Sequence, residues 1–139
     1  MAHEIFKKLL YSFIVAFVIS MIFSLYKYQS IEGLEASQAG FIVVLLNIGL
    51  NLANFISSLF AFLNLNKKIR NFYILSFLSF CGPSLLILFL LLTIYLFSNN
   101  QNSSMSDFIS ISLPCVIYNG ALLYCFMKFR ENIDNTKVI

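Results

Sequence analysis

Residues 40–63 read GFIVVLLNIGLNLANFISSLFAFL, 24 residues with no Asp, Glu, Lys, Arg or His among them. Coiled as an α-helix at about 1.5 Å per residue, such a run is about 36 Å long, enough to cross the roughly 30 Å of hydrocarbon in a bilayer. Its polar residues are not scattered. Asn47, Asn51, Asn54 and Ser58 follow one another at spacings of four, three and four, so on a helix they share roughly 60° of arc. Gly40 and Ala61 extend that stripe, while Phe, Leu, Ile and Val cover the remaining surface. The strict polar alternation of a barrel strand is missing. The 15 Leu, Ile, Val and Phe residues from Phe41 to Leu63 favour insertion by roughly 4.5 to 9 kcal/mol, which makes three asparagines tolerable.

Three further apolar runs, 9–26, 72–97 and 108–127, have similar length and also lack charge. The whole chain of 139 residues is 60% hydrophobic and 11% charged, with Phe 16, Tyr 7 and Trp 0. Its mean hydropathy is +0.86. Soluble domains run about 45–50% apolar and about 25% charged, so this composition excludes them, and it excludes disorder as well. The expected fold class is all-α: one domain over residues 1–139, a bundle of four transmembrane helices. The first run is not a secretory leader, although Ser37-Gln38-Ala39 could be cleaved. It is longer than a leader's apolar core, and Lys27, Glu32 and Glu35 stand between it and that triplet.

The positive charges give an orientation. Lys7 and Lys8 precede the first helix, Lys67, Lys68 and Arg70 join the second to the third, and Lys128, Arg130 and Lys137 follow the fourth. All eight fall on one side. The other side receives 30–39 and 98–104, with Lys27 as the dissenting positive charge. Both termini are therefore expected in the cytoplasm. Tyr11, Tyr26, Tyr28, Tyr73 and Tyr95 stand near helix ends, where amphipathic rings suit the interface. The net charge of +3 thus reports topology, and with no basic stripe nucleic acid is not an expected partner.

Each of the other helices also has a face of small residues. The first carries Ser12, Ala16, Ser20 and Ser24, the third Ser76, Ser79, Gly82 and Pro83, and the fourth Ser110, Pro114, Ala121 and Cys125. Such faces allow close helix packing. Cys81-Gly82-Pro83 and Pro114 are expected to bend their helices, and Tyr118 and Asn119 to bond inward toward the asparagines. Cys81, Cys115 and Cys125 lack paired spacing and read as small apolar fillers. His3 stands outside the runs, no nucleophile–base arrangement recurs, and no embedded carboxylate is available for proton coupling. Hence no enzymatic activity, metal or cofactor is expected. Asn102-Ser103-Ser104 matches a glycosylation sequon. The tail 128–139 is too short to fold alone and is expected to fray or to dock on the helix ends.

Three roles remain open for Asn47, Asn51, Asn54 and Ser58: glue between the chain's own helices, a docking face for a partner's helix, or the lining of a solute path. Four helices with both ends inside, short loops and no catalytic groups resemble the small bacterial inner-membrane immunity proteins that protect cells from pore-forming toxins such as colicins. That resemblance is one of layout. It implies a partner inserted in the bilayer, held non-conducting by helix–helix contact, with the four stripe residues as the recognition face. An accessory subunit of a larger membrane complex, or an oligomeric channel or carrier for a small solute, are the competing expectations, and a homo-oligomer stays open. The charge reading is testable on its own: Asn100→Arg adds one positive charge opposite eight, so reporter fusions should find the orientation unchanged. Inversion would show that the bias is too weak to set it.

Overall fold

The computed structural model describes the backbone of residues 1–29, 34–98 and 105–137, and the side chains of 1–27, 40–97 and 108–133. The sequon, most of both outer connections, and the side chains of Tyr28, Glu32, Glu35 and Lys137 lie outside the described residues. The described elements are all helical: α1 (Ala2–Gln29), α2 (Leu34–Ser58), a 3-10 segment (Leu59–Leu65), α3 (Lys67–Asn71), α4 (Tyr73–Ser98) and α5 (Met105–Lys137). Four spans are long and apolar enough to cross a membrane: Ala2–Lys27, Gly40–Leu65, Tyr73–Phe97 and Phe108–Ile133. Each apolar run of the sequence lies within one of them, save that Phe72, first of the third run, caps α3 instead. The helices outlast the runs because their ends are polar in a helix-compatible way, with Glu4 in the first turn of α1 and Lys27 in its last, each complementing the helix dipole.

In cross-section the bundle is a diamond. The Cα traces of α1 and α4 nowhere come within 8 Å among the described residues, whereas α2 and α5 approach each other and both outer helices. So α2 and α5 form the short diagonal, with α1 and α4 on opposite flanks. Of the 13 buried hydrophobic residues, α5 supplies Cys115, Tyr118, Leu122, Cys125, Phe126, Phe129 and Ile133. It is the spine of the molecule.

After Met127 the chain continues as helix α5 to Lys137 and docks on the bundle, the second of the two outcomes expected for the tail. Phe129 and Ile133 are buried, and Arg130 Nη1 donates to the carbonyl of Arg70 at 2.7 Å. The Arg130 guanidinium also stands 5.3 Å from the centre of the Tyr73 ring, a cation–π distance. Nearby, Phe126 meets Tyr73, Phe77 and Phe80 with ring centroids 5.5 to 5.7 Å apart. These tilted and edge-on rings fasten α4 to α5 at the end of the bundle that carries Lys7, Lys8, Lys67, Lys68 and Lys128. Pro83 and Pro114 sit inside helices that continue past them.

The uniform helix expected over 40–63 tightens at Leu59 into 3-10 geometry. At about three residues per turn, residues three apart eclipse one another, so Ser58, Ala61 and Asn64 stand in line. All three are buried. Asn64 Nδ2 donates to Ser79 Oγ at 2.6 Å, and Asn64 Oδ1 accepts from Ser76 Oγ at 2.6 Å. One carboxamide thereby ties the 3-10 segment to α4. The chain then leaves through Asn66, whose side chain accepts from the Lys68 amide at 3.0 Å and starts α3. Asn64→Ala should cost about 1–3 kcal/mol, since two inter-element bonds vanish and Ser76 and Ser79 lose a partner. Reversible unfolding in mixed detergent micelles measures this, and an unchanged midpoint would show that the turn is held by packing alone.

Candidate functional site, a polar seam inside the bundle

The stripe predicted on α2 is real and faces inward: Asn47, Asn51, Asn54 and Ser58 are 2%, 0%, 0% and 0% exposed. Its first half meets α1. Asn47 Nδ2 donates to Ser24 Oγ, and Asn51 Nδ2 donates to Ser20 Oγ at 3.1 Å. Two of the four small residues on α1 thus carry hydrogen bonds as well as allowing close approach. The second half of the stripe meets α5, where Asn54 Nδ2 approaches Cys115 Sγ at 3.1 Å and the Ser58 and Tyr118 hydroxyls lie 2.7 Å apart. Helical spacing alone placed these four side chains together.

Similar bridges occur at the other seams. Between α1 and α5, Lys27 Nζ donates to Ser110 Oγ at 2.7 Å. The dissenting positive charge is thus engaged across a helix pair. Further along the same interface Ser12 Oγ approaches Cys125 Sγ at 3.5 Å. Between α4 and α5, Ser84 Oγ donates to Asn119 Oδ1 at 2.8 Å. Tyr118 therefore reaches the α2 stripe as expected, but Asn119, one residue on and about 100° round the helix, serves α4. Cys115 and Cys125 are free, buried thiols with polar neighbours, so only Cys81 remains a plain apolar filler of the kind expected from sequence. Among the described residues no three His, Cys, Asp or Glu side chains gather as metal ligands would.

The seam has one peculiarity. Asn47 Oδ1, Asn51 Oδ1 and Asn54 Oδ1 are buried and receive no hydrogen bond. Rotating the carboxamides of Asn51 and Asn54 does not help. Asn51 Nδ2 already donates to the Asn47 carbonyl at 2.9 Å, and Asn54 Nδ2 to the Leu50 carbonyl at 2.9 Å. Turning either group over would press an oxygen against a carbonyl oxygen. Asn47 faces a hydroxyl, which can donate as well as accept, so the cost falls on the other two: about 1–3 kcal/mol for each orphaned acceptor, about 2–6 kcal/mol together. The interhelical bonds made by the same residues return about 0.6–1.7 kcal/mol apiece. On that balance the stripe does little for the stability of the bundle.

Two outward features complete the surface. A groove of about 620 Å³ runs over Gly82 and Pro83, walled by Leu78, Leu85, Leu86 and Phe89. A smaller pocket of about 320 Å³ opens between α1 and α5 at the lysine-rich end. Sequence reading missed both Asn64 and this pocket. Asn64 is out of phase with an α-helical stripe, and the pocket brings Lys128 to Lys7 and Lys8 from the far end of the chain. The chain matches no protein-family model, and no curated protein or solved structure matches it.

Leucine has the branching and nearly the size of asparagine, so Asn51→Leu removes an unpaired oxygen without opening a cavity. Ser20 keeps its own bond to the Phe17 carbonyl at 3.1 Å. The variant should unfold within about 1 kcal/mol of the parent in detergent titration; a loss above about 3 kcal/mol would make the seam plain structural glue.

Proposed function

We propose that this chain is a non-enzymatic integral membrane protein, both termini cytoplasmic, that acts on another membrane-inserted protein by helix–helix contact. The observation that carries this reading is the row of three buried acceptors without donors on α2. A leucine shares the heavy-atom skeleton of asparagine and would leave no unpaired oxygen at these positions. Polar groups that cost stability inside an apolar bundle are best understood through what they do for another molecule. A partner helix bearing hydroxyl, amide or ammonium donors would satisfy the three oxygens, and the match of donors to a fixed row of acceptors gives partner choice.

For an immunity protein of a bacterial inner membrane, that partner is a pore-forming toxin. Asn47, Asn51, Asn54 and Ser58 would hold a toxin helix beside α2 so that it cannot complete a conducting assembly. Because the stripe is closed between α1 and α5, engagement requires one of those helices to yield. The same closure disfavours a solute path, since the oxygens that would line it are sealed from solvent. An accessory subunit of a larger complex would use the same face for a permanent partner.

The test is affinity purification in mild detergent, from cells with and without the neighbouring gene product, together with a toxin-challenge assay. Wild-type protein should retain a stoichiometric membrane partner and protect cells. The variant carrying Asn47→Leu, Asn51→Leu and Asn54→Leu should fold, insert and lose both. Full protection by that variant would remove the stripe from the recognition surface. A stable multi-subunit complex without protection would favour the accessory subunit.

A further inference from the structure

The pocket between α1 and α5 is lined by Lys7, Lys8, Tyr11, Tyr124, Cys125 and Lys128 and encloses about 320 Å³. Three lysines from two helices line it. Lys128 is engaged by Glu131 at 2.8 Å, but that pair is over half exposed and so is readily exchanged for a stronger anion. The Lys8 carbonyl accepts from Ser12 Oγ at 3.0 Å within α1 and from Cys125 Sγ of α5 at 3.6 Å. The second of these bonds joins the two helices at the pocket. Tyr11 and Tyr124 stand half-exposed on either side.

What lies beyond the tyrosines identifies the ligand. Among the exposed apolar residues of α1, Ile14, Val18 and Ile22 follow Lys7 and Tyr11 at spacings that keep all five on one face of the helix. On α5 the face above Lys128 and Tyr124 passes through Gly120, where a side chain would meet nothing within 4 Å. A cationic cup, a pair of rings and a long apolar track follow one another along the same surface. An amphiphile with a phosphate head and hydrocarbon tails has that order of chemistry.

We infer that this pocket binds the phosphate of an anionic phospholipid, with Lys7, Lys8 and Lys128 around the headgroup, the two tyrosines at the glycerol level and an acyl chain along the α1–α5 track. The inference rests on the membrane reading above but not on any toxin or partner protein. A free phosphate compound shares the headgroup chemistry and lacks any use for the track.

The purified full chain in neutral detergent is titrated with phosphatidylglycerol, with phosphatidylcholine and with inorganic phosphate, and retained lipid is counted by native mass spectrometry. Phosphatidylglycerol should bind in preference to phosphatidylcholine. The variant with Lys7→Gln, Lys8→Gln and Lys128→Gln should bind it at least about tenfold more weakly, as expected when several basic contacts are lost. A variant with Lys67→Gln and Lys68→Gln, which changes the same end of the bundle outside the pocket, should bind like the parent. Equal weakening in both variants would overturn the site in favour of diffuse surface charge. Binding of inorganic phosphate without any preference for the lipid would overturn the lipid assignment. Extraction of each variant with alkaline carbonate reports membrane insertion separately, so a failure of the membrane reading is distinguishable from a failure of the pocket.

Discussion

A polar group surrounded by hydrocarbon must find its partner within the protein, and the arrangement of this bundle follows from that constraint. Most adjoining elements are bridged by polar side chains. Lys27–Ser110 and Ser12–Cys125 join α1 to α5, Ser24–Asn47 and Ser20–Asn51 join α1 to α2, and Ser58–Tyr118 joins α2 to α5. Asn64–Ser79 and Ser84–Asn119 complete the set on the α4 side. A slip of one residue along any seam would separate these pairs and strand their polar atoms. The bridges therefore set the register of helices whose apolar surfaces, rich in interchangeable Leu, Ile and Phe, would fit in several.

The four spans and the inward stripe on α2 were legible because each is a local property of sequence. An apolar run of the right length is a helix by elimination, and Asn47, Asn51, Asn54 and Ser58 share a face by helical arithmetic. Non-local facts were not legible. Whether the stripe meets α1, α5 or another molecule depends on which helices adjoin, and Asn119 turned to Ser84 because α4 occupies that side. Asn64 escaped notice because its alignment with Ser58 needs the 3-10 period, and no sequence rule announces the tightening at Leu59. For the tail, sequence left fraying and docking both open for a similar reason. Its helix is held by Arg130 on the Arg70 carbonyl, a contact between residues 60 apart.

Satisfaction is uneven across the bundle, and the unevenness has a direction. On the α4 side both ends of each carboxamide are used: Asn64 donates to Ser79 and accepts from Ser76, and Asn119 accepts from Ser84 while donating to the Ser84 and Cys115 carbonyls. The three α2 asparagines, two bonded to α1 and one to α5, donate but do not accept. The fold thus contains a completed half, reinforced by the Phe126 cluster, and an incomplete half along the stripe of α2.

That asymmetry bears on which helix can give way. Withdrawing α5 would expose seven buried hydrophobic residues of its own and release both flanks of the diamond at once. Withdrawing α4 would break the aromatic clasp and the completed carboxamide pairs. The contact that α1 makes with α2 combines the Phe13–Phe55 ring pair, 5.2 Å between centroids, with the bonds of Ser20 and Ser24 to Asn51 and Asn47. The apolar part of that contact has no substitute outside the bundle, whereas another donor could replace the two serine bonds one for one. The Ser20–Ser24 stretch of α1 is therefore where the polar bonding of α2 is most readily exchanged. Asn47 and Asn51, two of the three asparagines with unpaired oxygens, bond to that same stretch, so the exchangeable bonds and the unmet hydrogen-bonding capacity coincide.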